Sequence, residues 1–215
     1  MEGATPEIDE AENYFFERLQ EQILKSPKNN VYLPKLLTKI CGVDAAYSYN
    51  DNCVVAVAVS ISKGNISENS IYRGRFTFPY VSGLFFLHEG PFVTAAVRRL
   101  GTLPELICFD AHGTAHPRLA GLAMICGKML GIPSIGIAKR PLFGQIEPYR
   151  EGLSRINFKG KILGLVTSNP RRYWSPGYSV SINRLEEIIS KYRNLCLISL
   201  AEAHRISKGL VSKQR

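Results

Sequence analysis

The chain has 215 residues, 45% apolar and 21% charged, with a mean hydropathy of -0.04, the composition of one ordinary soluble domain rather than of a disordered, fibrous or membrane protein. A domain of this length buries roughly 70% of its unfolded surface and needs no disulfide or metal merely to fold, so any metal would serve function. The net charge of +9 falls wholly in the last third, since residues 1–138 hold 12 basic and 13 acidic groups while residues 139–215 hold 15 and 5.

That asymmetry suits a polyanionic partner, nucleic acid before an acidic membrane surface, or else a solvated basic face. The opening MEGATPEIDEAE is acidic, without the basic and apolar regions of a leader, and no apolar run is long enough to span a membrane. A cytoplasmic monomer is the expectation. The five cysteines, at 41, 53, 108, 126 and 196, form an odd set without C-x-x-C spacing and sit among apolar residues, which predicts buried free thiols.

Residues 9–26 place Tyr14, Phe15, Leu19, Ile23 and Leu24 near one face at helical spacing, with acids early and Lys25 late. After the turn-prone SPKNN, residues 41–48 and 53–61 predict a hairpin about Tyr49-Asn50-Asp51-Asn52, and Ser67 to Phe78 predicts an edge strand. Residues 82–100 turn helical in their second half. Leu106 to Phe109, a glycine-bearing loop, a helix from Arg118 to Leu130 capped by Gly131, and Ser134 to Ala138 make a parallel crossover unit. Residues 141–160 predict a long loop or edge hairpin, and Ile162 to Thr167 a last strand. NPRRYWSPGYS reads as a loop with the aromatic and cationic mixture that suits stacking and phosphate contacts, before a helix from Val180 to Tyr192. The order predicts a mixed sheet with helices on its faces, in a single domain spanning residues 1–215 with its core at about 38–210.

Asp44 interrupts the apolar strand CGVDAAYS, and Asp110 ends the strand LICF, two places where a buried acid is costly without a cation. If those strands are neighbours the carboxylates converge at the carboxyl edge, where Glu89 can join them, an oxygen-rich set that suits Mg²⁺ or Mn²⁺. The alternative is a pair of turn aspartates and an unrelated glutamate. In DAHGTAHPR, Pro117 at a helix start would bring helix N–H groups and Arg118 to a phosphate. His112 and His116 have zinc spacing, but Gly113 and Pro117 argue against a helix through them, and a loop-fixing hydrogen bond explains His116 better than a catalytic role does. Lys139 follows a buried strand beside the acids. No P-loop, G-x-G-x-x-G or G-x-S-x-G is present.

Taken together, VDAAYS, PYVSG, the Glu89 of LFFLHEGP, DAHGTAHPRLAG and GIAKRPLFG resemble, in order and spacing, the endonuclease V family of deoxyinosine-directed repair nucleases. The resemblance implies a ribonuclease-H-like α/β fold and Mg²⁺- or Mn²⁺-dependent cleavage at the second phosphodiester bond 3′ to the lesion. It implies that Asp44, Glu89 and Asp110 are metal-ligand or catalytic acids, with Lys139 and His204 assisting. Tyr80 of PYVSG matches a strand-parting wedge, and Gly83, Ala111, Gly113, His116, Arg118, Gly121 and Leu142 are implied at the lesion. Ser82, Ala111 and Tyr178 depart from the family pattern, Ser82 by loosening the stiff turn and Ala111 by replacing a pocket-loop glycine, which narrows the base pocket or requires a φ below zero. The implied partner is deoxyinosine DNA. Inosine in RNA is the alternative substrate, and a non-catalytic nucleic-acid-binding protein the alternative of another class.

Overall fold

The computed structural model describes residues 8–27 and 31–212; the first seven residues, part of the SPKNN turn and the last three residues lie outside it. Helix α1 (Glu10–Lys25) starts at Asp9, whose carboxylate accepts from the Glu12 N–H while the Glu12 side chain accepts from the Asp9 N–H. The hairpin of β1 (Lys39–Ser48) and β2 (Cys53–Ser62) follows, and β3 (Asn65–Arg75) ends three residues short of Phe78. Then come α2 (Phe85–Arg98), β4 (Leu106–Phe109), α3 (Leu122–Leu130) and β5 (Ser134–Ala138). The chain finishes with β6 (Gln145–Arg150), β7 (Leu153–Phe158), β8 (Lys161–Ser168), β9 (Arg171–Pro176) and α4 (Ile182–Ser212).

These strands form one mixed sheet in the order β3-β2-β1-β4-β5-β9-β8-β7-β6, with β1, β4 and β5 parallel and the other pairs antiparallel. Alternation along β1 sends Cys41 and Val43 into the core shared with α2 and α3. Ile40 instead joins the core under α4. At Gly42 that helix comes so close that a Cβ would stand 2.3 Å from the Ser199 carbonyl carbon. The small buried residues Ser199, Ala203 and Ser207, four apart, let α4 lie down on β1 at this distance.

The structure corrects several expectations. NPRRYWSPGYS holds the internal strand β9, hydrogen-bonded to β5 and β8, with Tyr173 and Trp174 buried and the Trp174 indole donating to Thr167 Oγ1 at 3.2 Å. Its aromatics are core, not a stacking surface; burial on both faces outweighs the turn signal of the prolines. Tyr178 is likewise buried, beside Ser134, so that departure bears on packing. Helix α3 begins at Leu122, so Pro117 and Arg118 precede it on a loop, whereas α4 runs twenty residues past Tyr192. Residues 141–160 are an edge hairpin, and Cys53 is only half-buried while the other four thiols are buried. Burial pushes the Cys41 thiol up to about 12. Among the described residues no helix is long and apolar enough to cross a membrane.

Candidate active site

The parallel pairing of β1 with β4 sets Val43 against Phe109, so Asp44 and Asp110 emerge side by side at the carboxyl edge of the sheet. Both belong to the α4 side, where His204 completes a group whose ligand atoms lie within 4.8 Å of one another. The His204 Nδ1 donates to Asp44 Oδ2 at 3.0 Å, and the Ser207 hydroxyl donates to the same oxygen at 2.9 Å. Residues 204 and 207 share a helix face, so one turn of α4 grips Asp44 twice. Burial, then the charge of Asp110, pushes the Asp44 carboxyl up, against the lowering pull of Ser207 and His204. Lys139, directly after β5, donates to Asp110 Oδ2 at 2.5 Å.

Glu89 arrives from α2, on the other face, and is not within the 4.8 Å group. Its carboxylate accepts from the Tyr47 hydroxyl at 3.0 Å, and burial followed by the charge of Asp44 pushes it well above the usual carboxylate range. Two carboxylates and an imidazole this close, one acid desolvated and repelled by its neighbour, suit a hard divalent cation, which relieves the repulsion.

Beside the acids opens a cavity of about 510 Å³, with Asp110 and Lys139 on its wall. Tyr80, Gly83, Ala111, His116, Gly121 and Leu142 line it, and so do Gln20, Ser82 and His112. Ala111 sits without positive φ, so the replacement of glycine strains nothing. Gly83 does need its freedom, with φ +84 and its carbonyl aimed inward. That carbonyl accepts from Gln20 Nε2 at 3.2 Å, His116 Nε2 at 3.0 Å and Arg118 Nη2 at 2.9 Å.

Two expected lesion residues lie elsewhere. Gly113 packs against the Pro176 carbonyl behind the cavity. Arg118 is spent inside the protein, donating also to Gln20 Oε1 at 2.5 Å and Glu17 Oε1 at 2.6 Å, so it clamps the loop rather than waiting for a phosphate. His116 fixes that loop too. Its Nδ1 accepts from the Arg118 N–H at 3.2 Å, and burial, then the Arg118 charge, lowers its pKa to about 4. It is therefore a neutral ring with the proton on Nε2.

Sequence reasoning missed Ser207, Tyr47 and Gln20 as residues around the acids and the cavity, and set His112 aside with the zinc pair. The three-residue spacing from His204 could have found Ser207, and a fully buried glutamine on an amphipathic helix has no signal until its partners are known. His112 Nδ1 is buried with no hydrogen-bond partner among the described residues.

A mixed sheet with a carboxylate pair at its carboxyl edge and an adjoining cavity is an arrangement that suits a cation beside a bound substrate. The family model for endonuclease V matches residues 17–201. An endonuclease V from Saccharolobus islandicus is 35% identical over 174 residues, covering 81% of this chain and 85% of the relative. The endonuclease V structure from Streptomyces avermitilis superposes with a TM-score of 0.77 at 25% identity, covering 100% of this chain and 97% of that one. The Ciona intestinalis endonuclease V, solved with a 24mer DNA containing an inosine followed by a ribo-adenosine, shares the fold with a TM-score of 0.80 at 15% identity, covering 96% and 100%. The chain belongs to the endonuclease V family. It is a nuclease.

Proposed function

We propose that this nuclease recognises deoxyinosine in DNA and hydrolyses the second phosphodiester bond 3′ to it, leaving a nick with a 5′-phosphate, in a reaction that needs Mg²⁺ or Mn²⁺. The observation that carries the reading is the shared wall: Asp110 belongs both to the acidic group and to the cavity that would take the base. Asp44 and Asp110 are the cation's ligands, with Glu89 behind them and His204 alongside. Bound there, the cation supplies Lewis acidity to the scissile phosphate and to the attacking water. His204 holds Asp44 in place and orients the reacting water or protonates the leaving oxygen; Lys139 meets the charge gathering on the phosphate. Tyr80, 64% exposed at the cavity rim, is the wedge that holds the strands apart while the base is out. The excess of basic groups in residues 139–215 supports backbone tracking.

The test is cleavage of end-labelled duplexes with and without one inosine, in Mg²⁺ and in EDTA, beside Asp110→Ala. A Mg²⁺-dependent nick at the second bond 3′ to inosine, absent in the mutant, is expected; equal cleavage in EDTA overturns the metal reading. One observation favours a second substrate: the Ciona protein was solved on a strand with a ribonucleotide after the inosine. The ratio of RNA to DNA cleavage in the same assay decides between them, and a salt titration without loss of affinity would remove the backbone-tracking role.

A further inference from the structure

The carboxyl edge of the sheet carries, besides the acids and the cavity, a continuous run of aromatic rings. Strand β1 goes on past Asp44 to Ser48 and turns through Tyr49 into β2, so this hairpin projects beyond the point where β4 ends at Phe109. Tyr49 stacks on Tyr47 with centroids 6.1 Å apart and meets Phe76 edge-on at 5.4 Å. Tyr47 stacks on His88 at 4.7 Å, and His88 touches Tyr80 and Phe85, each at 6.3 Å. The run therefore extends from the hairpin tip to the cavity rim. Its interior rings are at least partly covered, His88 most of all, but its two ends are open: Tyr80 is 64% exposed and Tyr49 61%.

The order of features along the edge gives the second ring its meaning. The cavity lies over the β4 and β5 ends, the acids over β1 and β4, and Tyr49 at the β1–β2 tip, in the order the sheet itself dictates. A strand with one base in the cavity and a phosphate at the acids, continued in the same direction, reaches the hairpin. A phenol ring held from behind by Tyr47 and from the side by Phe76 offers a base its face at small cost in ordering, and stacking of this kind is indifferent to base identity.

We propose that Tyr49 is a stacking platform for an unpaired nucleobase of the substrate strand, on the side of the cleaved bond away from the base cavity. The proposal rests on the acids being the cleavage centre. Tyr80 and Tyr49 then bracket the opened segment, and the strand must be single or unwound as far as the hairpin. The segment carries no sequence requirement at the stacked position.

The test is a walk of abasic sites, one at a time, through the nucleotides 3′ to inosine in a single-stranded DNA, with the full chain and its Tyr49→Ala, Tyr49→Phe and Tyr49→Trp variants. Binding is read by anisotropy in EDTA and cleavage in Mg²⁺. Wild type should lose about tenfold in affinity at one position of the walk. Tyr49→Ala should show that loss on the intact strand and no further loss at that position, while the Phe and Trp variants keep the wild-type profile. 2-Aminopurine at the same position should be quenched by wild type and not by Tyr49→Ala. A Tyr49→Ala profile that matches wild type overturns the platform. Failure of the cleavage reading looks different: wild type would bind inosine and adenosine strands alike and cut neither, whatever the abasic walk shows.

Discussion

Two regions on either side of Asp110 are built on opposite terms. Around Gly83, charge and hydrogen bonding are settled inside the protein: one carbonyl takes three donors, Arg118 reaches four acceptor-bearing groups from α1 to the loop, and His116 stays neutral. Around Asp44, the hydrogen bonds are made by His204, Ser207 and Tyr47, but the charge is left unsettled. Three acids face one another where burial and mutual repulsion push Asp44 and Glu89 up, and Lys139 answers Asp110 alone. The first region stores stability and gives the cavity its shape; the second forgoes stability and suits the cation of the proposed reaction. Substitutions should therefore separate: those in the acids lose rate without loss of fold, and those in the clamp lose fold first.

The largest effect expected is at Asp110. Asp110→Ala should slow Mg²⁺-dependent cleavage of an inosine strand on the order of a thousandfold, because in the proposed reaction a ligand carboxylate at the reacting phosphate contributes several kcal/mol in the transition state. Its unfolding midpoint in EDTA should stay at or above that of wild type, and a drop would mean that the acids also hold the fold. Arg118→Ala should do the reverse, costing about 3 kcal/mol in urea unfolding since it strands Glu17 and removes donors from Gln20 and Gly83. Cleavage at saturating substrate should persist while KM rises. An unchanged urea midpoint would show that the clamp is decoration.

The acids were legible from the sequence because each breaks a local rule: Asp44 is a charge inside an apolar run and Asp110 a charge at the end of one, and parallel pairing makes their meeting nearly automatic. Local reading already brought Glu89 and Lys139 beside the acids, and the family motifs gave these two and Tyr80 their roles. Arg118 misled because proline before arginine resembles a helix start; its true partners, Glu17 and Gln20, are about a hundred residues away on α1. Trp174 misled for a related reason: prolines and arginines mark loops locally, and only the pairing of β9 on both edges, a tertiary fact, makes the segment core. The same holds for the second half of α4, whose small residues look featureless until Gly42 gives them a surface to lie on.

The clamp also has a pH signature. His116 holds its pKa at about 4 in the folded protein against an ordinary 6.5, so the unfolded chain takes up a proton that the folded one refuses. Its contribution is complete above the ordinary value and is lost as pH falls from there toward the lowered one. Between pH 7 and pH 5 that loss comes to roughly 2 kcal/mol, read as a falling urea midpoint. His116→Gln, which keeps a donor for the Gly83 carbonyl and does not titrate in this range, should flatten this part of the profile.

The acids should show the opposite slope, and it is the smallest of these effects because Tyr47 already offsets part of the cost at Glu89. A buried acid whose pKa is raised by folding keeps its proton while the unfolded chain has released it, so the apo protein loses stability as pH rises from the ordinary carboxylate value through the raised one. Glu89→Gln preserves the Tyr47 hydrogen bond and carries no charge, so in EDTA its unfolding midpoint should decline less over that window and end above wild type at neutral pH. Added Mg²⁺ should then narrow the difference, since a cation at Asp44 and Asp110 screens in the native protein what the glutamine has removed. A Glu89→Gln midpoint that tracks wild type at every pH would mean that Glu89 is not strained by the other acids, and the contrast between the two sides of Asp110 would rest on Asp44 alone.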